Sequence, residues 1–254
     1  MRYAKDSLVI SPDRDIPLMR QVRNSKFVSH RQLFELMKYR GSECSPDSFN
    51  WRIRRLVKAG CLSLCKGVFG AGSAVYRITS EGMNLLEHHG QFTTVLHSNS
   101  THLPHLSQVF HSLELNRVQL ALAGENLLAH WQSEIEIASL NTISRSPYQK
   151  DYDAIVDVWV GDDQARFALE YERSLKSARQ YERIRAALSA ERQIGCFLYL
   201  TAGVEVLVHL VHELETVPST VAFASAGDFG ERLLDTRVIT ARQPAGASFR
   251  ELLR

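Results

Sequence analysis

A chain of 254 residues, 44% hydrophobic and 23% charged, has the composition of a globular protein with room for one large domain or two modest ones. No run of about 18 apolar residues is present, which excludes a membrane-spanning helix. The start, MRYAKDSLVISPDRD, carries early charges and no apolar signal core, so a cytoplasmic protein is expected.

The net charge of +2 is unevenly spread: residues 1–90 carry 15 Lys/Arg against 8 Asp/Glu, and the remainder 15 against 20. A basic part joined to an acidic part predicts two domains with different tasks, the basic one suited to meeting phosphate. Cys61 and Cys65, with His88 and His89 nearby, have a spacing that matches no strong zinc pattern. Reduced, structural cysteines are expected.

In chain order, HRQLFELMKY (30–39) puts Leu33, Leu36 and Met37 on one helical face. FNWRIRRLVKAG (49–60) does the same with Phe49, Ile53, Leu56 and Val57, while Arg52, Arg54, Arg55 and Lys58 fall mainly elsewhere. Ser45 or Ser48 is placed to cap its start and Gly60 to end it. Residues 61–65 and 74–79 read as strands around a glycine-rich tip that carries Lys66, and a helix opens at Thr79 or Ser80. Two short helices, the second basic, followed by a hairpin make a winged helix-turn-helix. In such a unit one helix enters the major groove and the wing touches the backbone. Arg52, Arg54, Arg55, Lys58 and Lys66 are the candidate DNA contacts; the alternatives are a solvated helix face for the arginines and a dimerisation or protein-docking role for the domain.

Residues 91–108 are polar and rich in Ser, Thr and His and read as a linker. His97, His102, His105 and His111 lie close together, but no two show a firm helical ligand spacing. The expected organisation is a winged helix over 1–90, a linker over 91–108 and a second domain over 109–254. In the latter, 109–131 reads as a long helix and WQSEIEIAS (131–139) alternates like a strand. YDAIVDVWV (152–160) and ARFALEYER (165–173) read as a β-hairpin. A helix over 174–192, a strand over 194–203, a further helix and a short strand complete a mixed α/β sheet domain.

The hairpin raises a chemical question. By the period of two, Asp153, Ile155 and Asp157 share a face of the first strand, and Ala168, Glu170 and Glu172 a face of the second. If the turn centres on Asp162–Asp163, Asp153 opposes Glu172; a two-residue slip opposes Asp153 to Glu170. Either register gathers Asp153, Glu170 and Glu172 on one patch, with directly opposed Cβ atoms roughly 5 Å apart. Like charges so placed repel, and require protonation, cationic partners or a metal. Oxygen-rich clusters suit Mg²⁺ or Mn²⁺, which polarises a phosphoryl oxygen and lowers the pKa of bound water. The alternative is a solvated face, or neutralisation by Arg166, Arg173 and Lys176.

An Asp near the start of one strand and E-x-E closing the next resembles the PD-(D/E)XK restriction-endonuclease-like nucleases. An N-terminal winged helix followed by FHSLELNRVQLAL, YDAIVDVWV and FALEYERSLKSARQYERI is similar, over about residues 25–230, to the replication-relaxation family, which includes the MOBC-type plasmid relaxases (MobC mobilisation proteins). The resemblance implies an α/β (α+β) chain, a winged helix followed by a PD-(D/E)XK domain with a mixed sheet. It further implies a metal-dependent, site-specific nick in double-stranded DNA at a plasmid origin of transfer. Carried over, Asp153 matches the motif's Asp and Glu170 its D/E position. Glu172 stands where the motif has Lys, and Lys176 is offered as a migrated cation. Asp153, Glu170 and Glu172 are then the metal ligands and, with Lys176, the catalytic set. Asp157, Tyr181 and Glu114 rank second, and activated water is favoured over a tyrosine nucleophile.

Two readings follow: a DNA nickase of conjugative mobilisation, or a non-catalytic winged-helix regulator or relaxosome accessory protein. A transfer system also needs a relaxosome accessory protein and a coupling ATPase. No Walker-type phosphate loop is present in this chain to supply the latter.

Overall fold

The structure is a computed structural model that describes residues 9–65, 73–94, 105–145, 147–241 and 246–254. The chain divides into two units, 1–116 and 117–254. No helix among the described residues is long and apolar enough to cross a membrane.

In the first unit, α1 (Asp15–Ser25), α2 (His30–Tyr39), α3 (Pro46–Lys58) and α4 (Ser80–His88) accompany a three-stranded sheet of β1 (Val28–Ser29), β2 (Leu62–Leu64) and β3 (Val75–Ile78), ordered β1-β3-β2. The local causes are those of the sequence. Ser29 and Gln32 form a capping box on α2, Ser45 caps α3 and the Thr79 hydroxyl accepts from Gly82 N–H at 3.1 Å to open α4. Gly60, at φ +74°, turns the chain out of α3, with Cys61 N–H closing back on Leu56 O at 2.9 Å. Helix α1 is an addition to the expected elements. The glycine-rich tip and Lys66 lie outside the described residues.

Helix α5 (Leu106–Gly124) begins three residues before the expected start, within the expected linker, and stops short of 131, and the unit boundary falls inside it, not before it. Its first half belongs to the N-terminal unit for specific reasons. Gln32 Nε2 donates to Leu113 O at 2.7 Å and Asn116 Nδ2 to Phe27 O at 2.8 Å, while Val109 and Leu113 pack with Cys65 and Val75. The helix ends because Gly124 is followed by a turn in which Asn126 takes φ +56°.

The second unit is α+β around a seven-stranded mixed sheet, ordered β10-β9-β8-β7-β6-β5-β4. The strands are β4 (Leu128–Ser133), β5 (Ala154–Val160), β6 (Asp163–Glu172), β7 (Cys196–Thr201), β8 (Thr220–Ser225), β9 (Arg237–Thr240) and β10 (Ala247–Ser248). Strands β4, β5 and β6 form an antiparallel meander; β6, β7 and β8 run parallel; the last two pairings are antiparallel again. The crossovers are α7 (Ala178–Ala190) and α8 (Val204–Leu214). Helix α6 (Glu134–Ile143) links β4 to β5, and α9 (Ala226–Arg232) and α10 (Phe249–Leu252) follow the parallel strands.

One expected strand is corrected. EIEIAS is the start of α6, not an extension of β4. Both the backbone N–H and the hydroxyl of Ser133 donate to Glu136 Oε2, at 2.9 and 2.7 Å, so a helix start overrides the alternation of Ile135 and Ile137.

The two faces of the sheet have separate cores. Ile155, Ala168, Phe197, Tyr199, Val221 and Phe223 pack under Tyr181, Ile184 and Leu188 of α7 and Leu207, Leu210 and Leu214 of α8. On the other face Phe167 meets Phe249 edge-on at 5.0 Å, and Phe249 meets Phe229 at 6.2 Å.

Candidate functional site

The site is built by register. Gly161 and Asp162 form a two-residue loop with Val160 opposite Asp163, and Gly161 takes the positive φ (+69°) such a loop requires. Ala154 opposes Leu169, so the next pair outward is Asp153 with Glu170. Of the two parity-preserving registers, the chain adopts the one that sets these two carboxylates side by side. In the parallel direction Ala168 lies beside Phe197, Glu170 beside Tyr199 and Glu172 beside Thr201. Moving along β6, the face under α7 and α8 changes from apolar to acidic at the carboxyl ends of the parallel strands, where open α/β sheets place their ligands.

All three carboxylates are engaged. Tyr171 N–H donates to Asp153 Oδ2 at 2.8 Å. Glu170 is only 5% exposed, and Lys150 Nζ stands 2.6 Å from its Oε1. This is an ion pair by distance, but it gives Oε1 no well-angled hydrogen bond. Burial pushes the Glu170 carboxyl up from the usual carboxylate range, Lys150 pulls it back and Asp153 pushes it up again, with a net upward direction. Glu172, also buried, is paired with Lys176 in the irregular segment that follows β6. Burial lowers the Lys176 ammonium from its ordinary value against the opposing pull of Glu170; Lys150 lowers it further and Asp153 raises it. Lys176 therefore feels both carboxylates and the second lysine as one electrostatic group.

Lys150 is the residue that sequence reasoning missed. It lies in SPYQK, a polar stretch with no periodicity to orient it. Its backbone is nonetheless held on two sides. Asn141 of α6 accepts from Tyr148 N–H at 2.8 Å and donates to Lys150 O at 3.3 Å and to Asp151 Oδ1 at 2.7 Å. Glu191, at the end of α7, accepts from Gln149 N–H at 3.0 Å and from the Tyr152 hydroxyl at 3.1 Å. Tyr199 was also missed, hidden in an apolar strand. Its hydroxyl is buried with no hydrogen-bond partner among the described residues; burial first, then Glu170, pushes it far above its ordinary pKa.

Two of the second-rank candidates, Asp157 and Tyr181, are committed to other partners. Asp157 is held by Arg166 through two hydrogen bonds of 2.6 and 2.9 Å, which set its carboxyl below the usual range despite partial burial. The neutralising role considered for Arg166 is thus spent on Asp157. Tyr181 is buried under α8, and its hydroxyl accepts from Lys176 N–H at 3.1 Å; it positions the Lys176 backbone. Glu114 lies on the half of α5 that belongs to the first unit.

Among the described residues no three of His, Cys, Asp and Glu converge to hold a metal. This corrects the three-carboxylate ligand set: Glu172 is taken by Lys176. Asp153 and Glu170 remain as adjacent hard oxygen donors, and Glu170 keeps a buried oxygen without a well-made hydrogen bond. Two carboxylates are enough for Mg²⁺ or Mn²⁺, which keep most of their waters, so the pair fits such an ion. Cys61 and Cys65 are buried free thiols, both pushed up by burial, as structural cysteines should be. His97 and His102 lie outside the described residues.

In the basic unit the four arginines and lysines of α3 separate into two pairs. Arg52 is 5% exposed, with Nη1 donating to Asp15 Oδ1 at 2.9 Å and Nε to Glu43 Oε2 at 3.2 Å. Arg55 also binds Asp15 and lies over the Trp51 ring at 5.0 Å. Arg52 is therefore a buried tie between α1 and α3, not a DNA contact, and Arg55 is committed to the same cluster. The cause is visible in the spacing: 49, 52, 53 and 56 form the i, i+3, i+4, i+7 stripe that faces the core. Arg54 and Lys58 remain exposed. Comparison of the chain with family models, curated proteins and solved structures finds no match.

Proposed function

We propose that this protein is a metal-dependent DNA endonuclease that nicks a specific site, a relaxase acting at a plasmid origin of transfer. The observation that carries the phosphodiester chemistry is the pairing of half-buried Asp153 with buried Glu170 at the carboxyl end of β6, flanked by two lysines. Asp153 and Glu170 would hold a Mg²⁺ or Mn²⁺, which supplies Lewis acidity to a phosphoryl oxygen and a more acidic bound water. The chain's own residues supply the rest. Lys176, held through its backbone by Tyr181, offers a positive charge to the phosphate undergoing attack. Glu172 holds that ammonium in place. Activated water is the nucleophile, since Tyr181 is buried in a structural hydrogen bond.

The N-terminal unit, with two helices followed by paired strands and Arg54 and Lys58 exposed on the second helix, supports a winged-helix reading with double-stranded DNA as its partner. The transfer-origin target, a relaxosome accessory protein and a coupling ATPase follow from the resemblance to the replication-relaxation family. A second reading, a non-catalytic winged-helix regulator or relaxosome accessory protein, is favoured by one observation. Glu170 and Glu172 each have a lysine partner from within the chain, as a structural acidic patch would.

A nicking assay on supercoiled plasmid carrying a candidate transfer origin separates the two. Open circles formed with Mg²⁺ or Mn²⁺, absent with EDTA and absent with Glu170→Ala, establish the enzyme. No nicking while both proteins bind the origin establishes the regulator.

A further inference from the structure

We infer that Lys150 is a displaceable counter-ion that occupies the cation seat at Glu170 and leaves it when a divalent metal binds. The inference rests on the metal reading above and adds a residue to it.

Three observations support it. First, Lys150 Nζ and a metal using Glu170 need the same oxygen: Oε1 is 2.6 Å from the ammonium and the carboxylate is buried. Second, the lysine is built to swing. Its backbone is pinned by the Asn141 and Glu191 contacts to residues 148–152, while its side chain keeps 21% exposure. In the position where it pairs with Glu170, Nζ already stands 5.4 Å from the Tyr152 ring, a cation–π contact that does not depend on the Glu170 oxygen. Third, the charges match. Asp153, Glu170 and Glu172 face Lys150 and Lys176; with one ammonium withdrawn and one divalent ion bound, three carboxylates are balanced charge for charge. Lys176 has its own carboxylate in Glu172 and is tied by its backbone to Tyr181, so its place does not depend on Glu170 alone.

Titration calorimetry with Mn²⁺ alone tests this on the full chain, comparing metal-free wild type, Lys150→Gln and the Glu170→Gln forms of both. Expected is Mn²⁺ binding at least tenfold tighter in Lys150→Gln, lost in both Glu170→Gln proteins. Binding by Lys150→Gln with none detectable in wild type supports the same conclusion more strongly. Equal or weaker binding by Lys150→Gln overturns the counter-ion role and leaves the metal reading standing. No binding by either protein overturns both, and binding that survives Glu170→Gln places the ion elsewhere and overturns the inference. Should Lys150→Gln fail to fold, the wild type gives the answer. The Lys150 ζ-ammonium resonance, protected while paired with Glu170, is expected to vanish into solvent exchange on addition of Mg²⁺; a resonance unmoved at saturating Mg²⁺ overturns the proposal.

Discussion

Arg52 Nη1 donates to Asp15 Oδ1 at 2.9 Å, and both side chains are buried, so an arginine on the basic helix serves the core of the N-terminal unit. Arg52→Ala leaves Asp15 and Glu43 short of a cation in a low-dielectric setting. Removing one partner of a buried pair costs about 3 kcal/mol, and we expect a loss of that size in urea unfolding.

Asp15 carries a pH dependence with it. Burial raises its carboxyl, but hydrogen bonds from Arg55, the Ser11 backbone and Arg52 outweigh this and hold it below the usual carboxylate value. A depressed folded-state pKa contributes stability that is present above the unfolded value and lost as pH falls through the folded one. Acid titration of the unfolding free energy should therefore drop below about pH 4, and Asp15→Asn should be less stable at pH 7 with a flatter acid limb. An unchanged acid limb would show that Asp15 is not a contributor.

Arg54 and Lys58 are exposed on the same helix and are free to meet phosphate in a way Arg52 is not. Replacing both with Ala should weaken duplex binding and reduce the slope of log K against log salt by about 2, each phosphate contact contributing about 0.9. The melting temperature should stay within experimental error. A double variant that keeps the wild-type salt slope would move DNA contact away from this helix.

Glu170 is held up from the ordinary carboxylate value, first by burial. Between the unfolded and the raised folded pKa, stability falls as pH rises, because the folded state retains a proton the unfolded chain releases. Glu170→Gln should then stabilise the metal-free protein at pH 7 by about 1 kcal/mol, in the range of single stabilising substitutions. The gain should shrink toward pH 4, where both states are protonated. Thermal denaturation in EDTA checks this, and a variant that melts below wild type at pH 7 would show that the Lys150 pair outweighs burial.

Tyr199 places a hydroxyl beside Glu170 in the sheet row, with Phe223 5.9 Å away on its other side. A buried hydroxyl without a partner costs about 1–3 kcal/mol. Tyr199→Phe keeps the ring and is expected to raise stability by about 1 kcal/mol. A loss of stability instead would mean that the hydroxyl has a partner in solution, such as an ordered water.

Much of this fold was legible in the chain because short-range physics decides it. The α2 and α3 stripes, the Thr79 cap, the β5–β6 hairpin and the placing of Asp153, Glu170 and Glu172 on one face follow from periods of 3.6 and 2 and from turn chemistry. The same periodicity carried an unread signal at Arg52, which shares the stripe of Phe49, Ile53 and Leu56. It misled at EIEIAS, where the Ser133–Glu136 capping interaction decides in favour of a helix. What only the tertiary structure decided is who neutralises whom. A period of two assigns a side chain to a face but says nothing of a lysine arriving from a loop, so Lys150 reaches Glu170 through contacts made by Asn141 of the preceding helix and by Glu191 at the end of α7, 42 residues from Gln149. Likewise, that Arg52 turns inward depends on Asp15 and Glu43 being brought to it from α1 and the α2–α3 loop. Burial makes an unpaired charge costly, and the sequence alone does not state which partner is within reach.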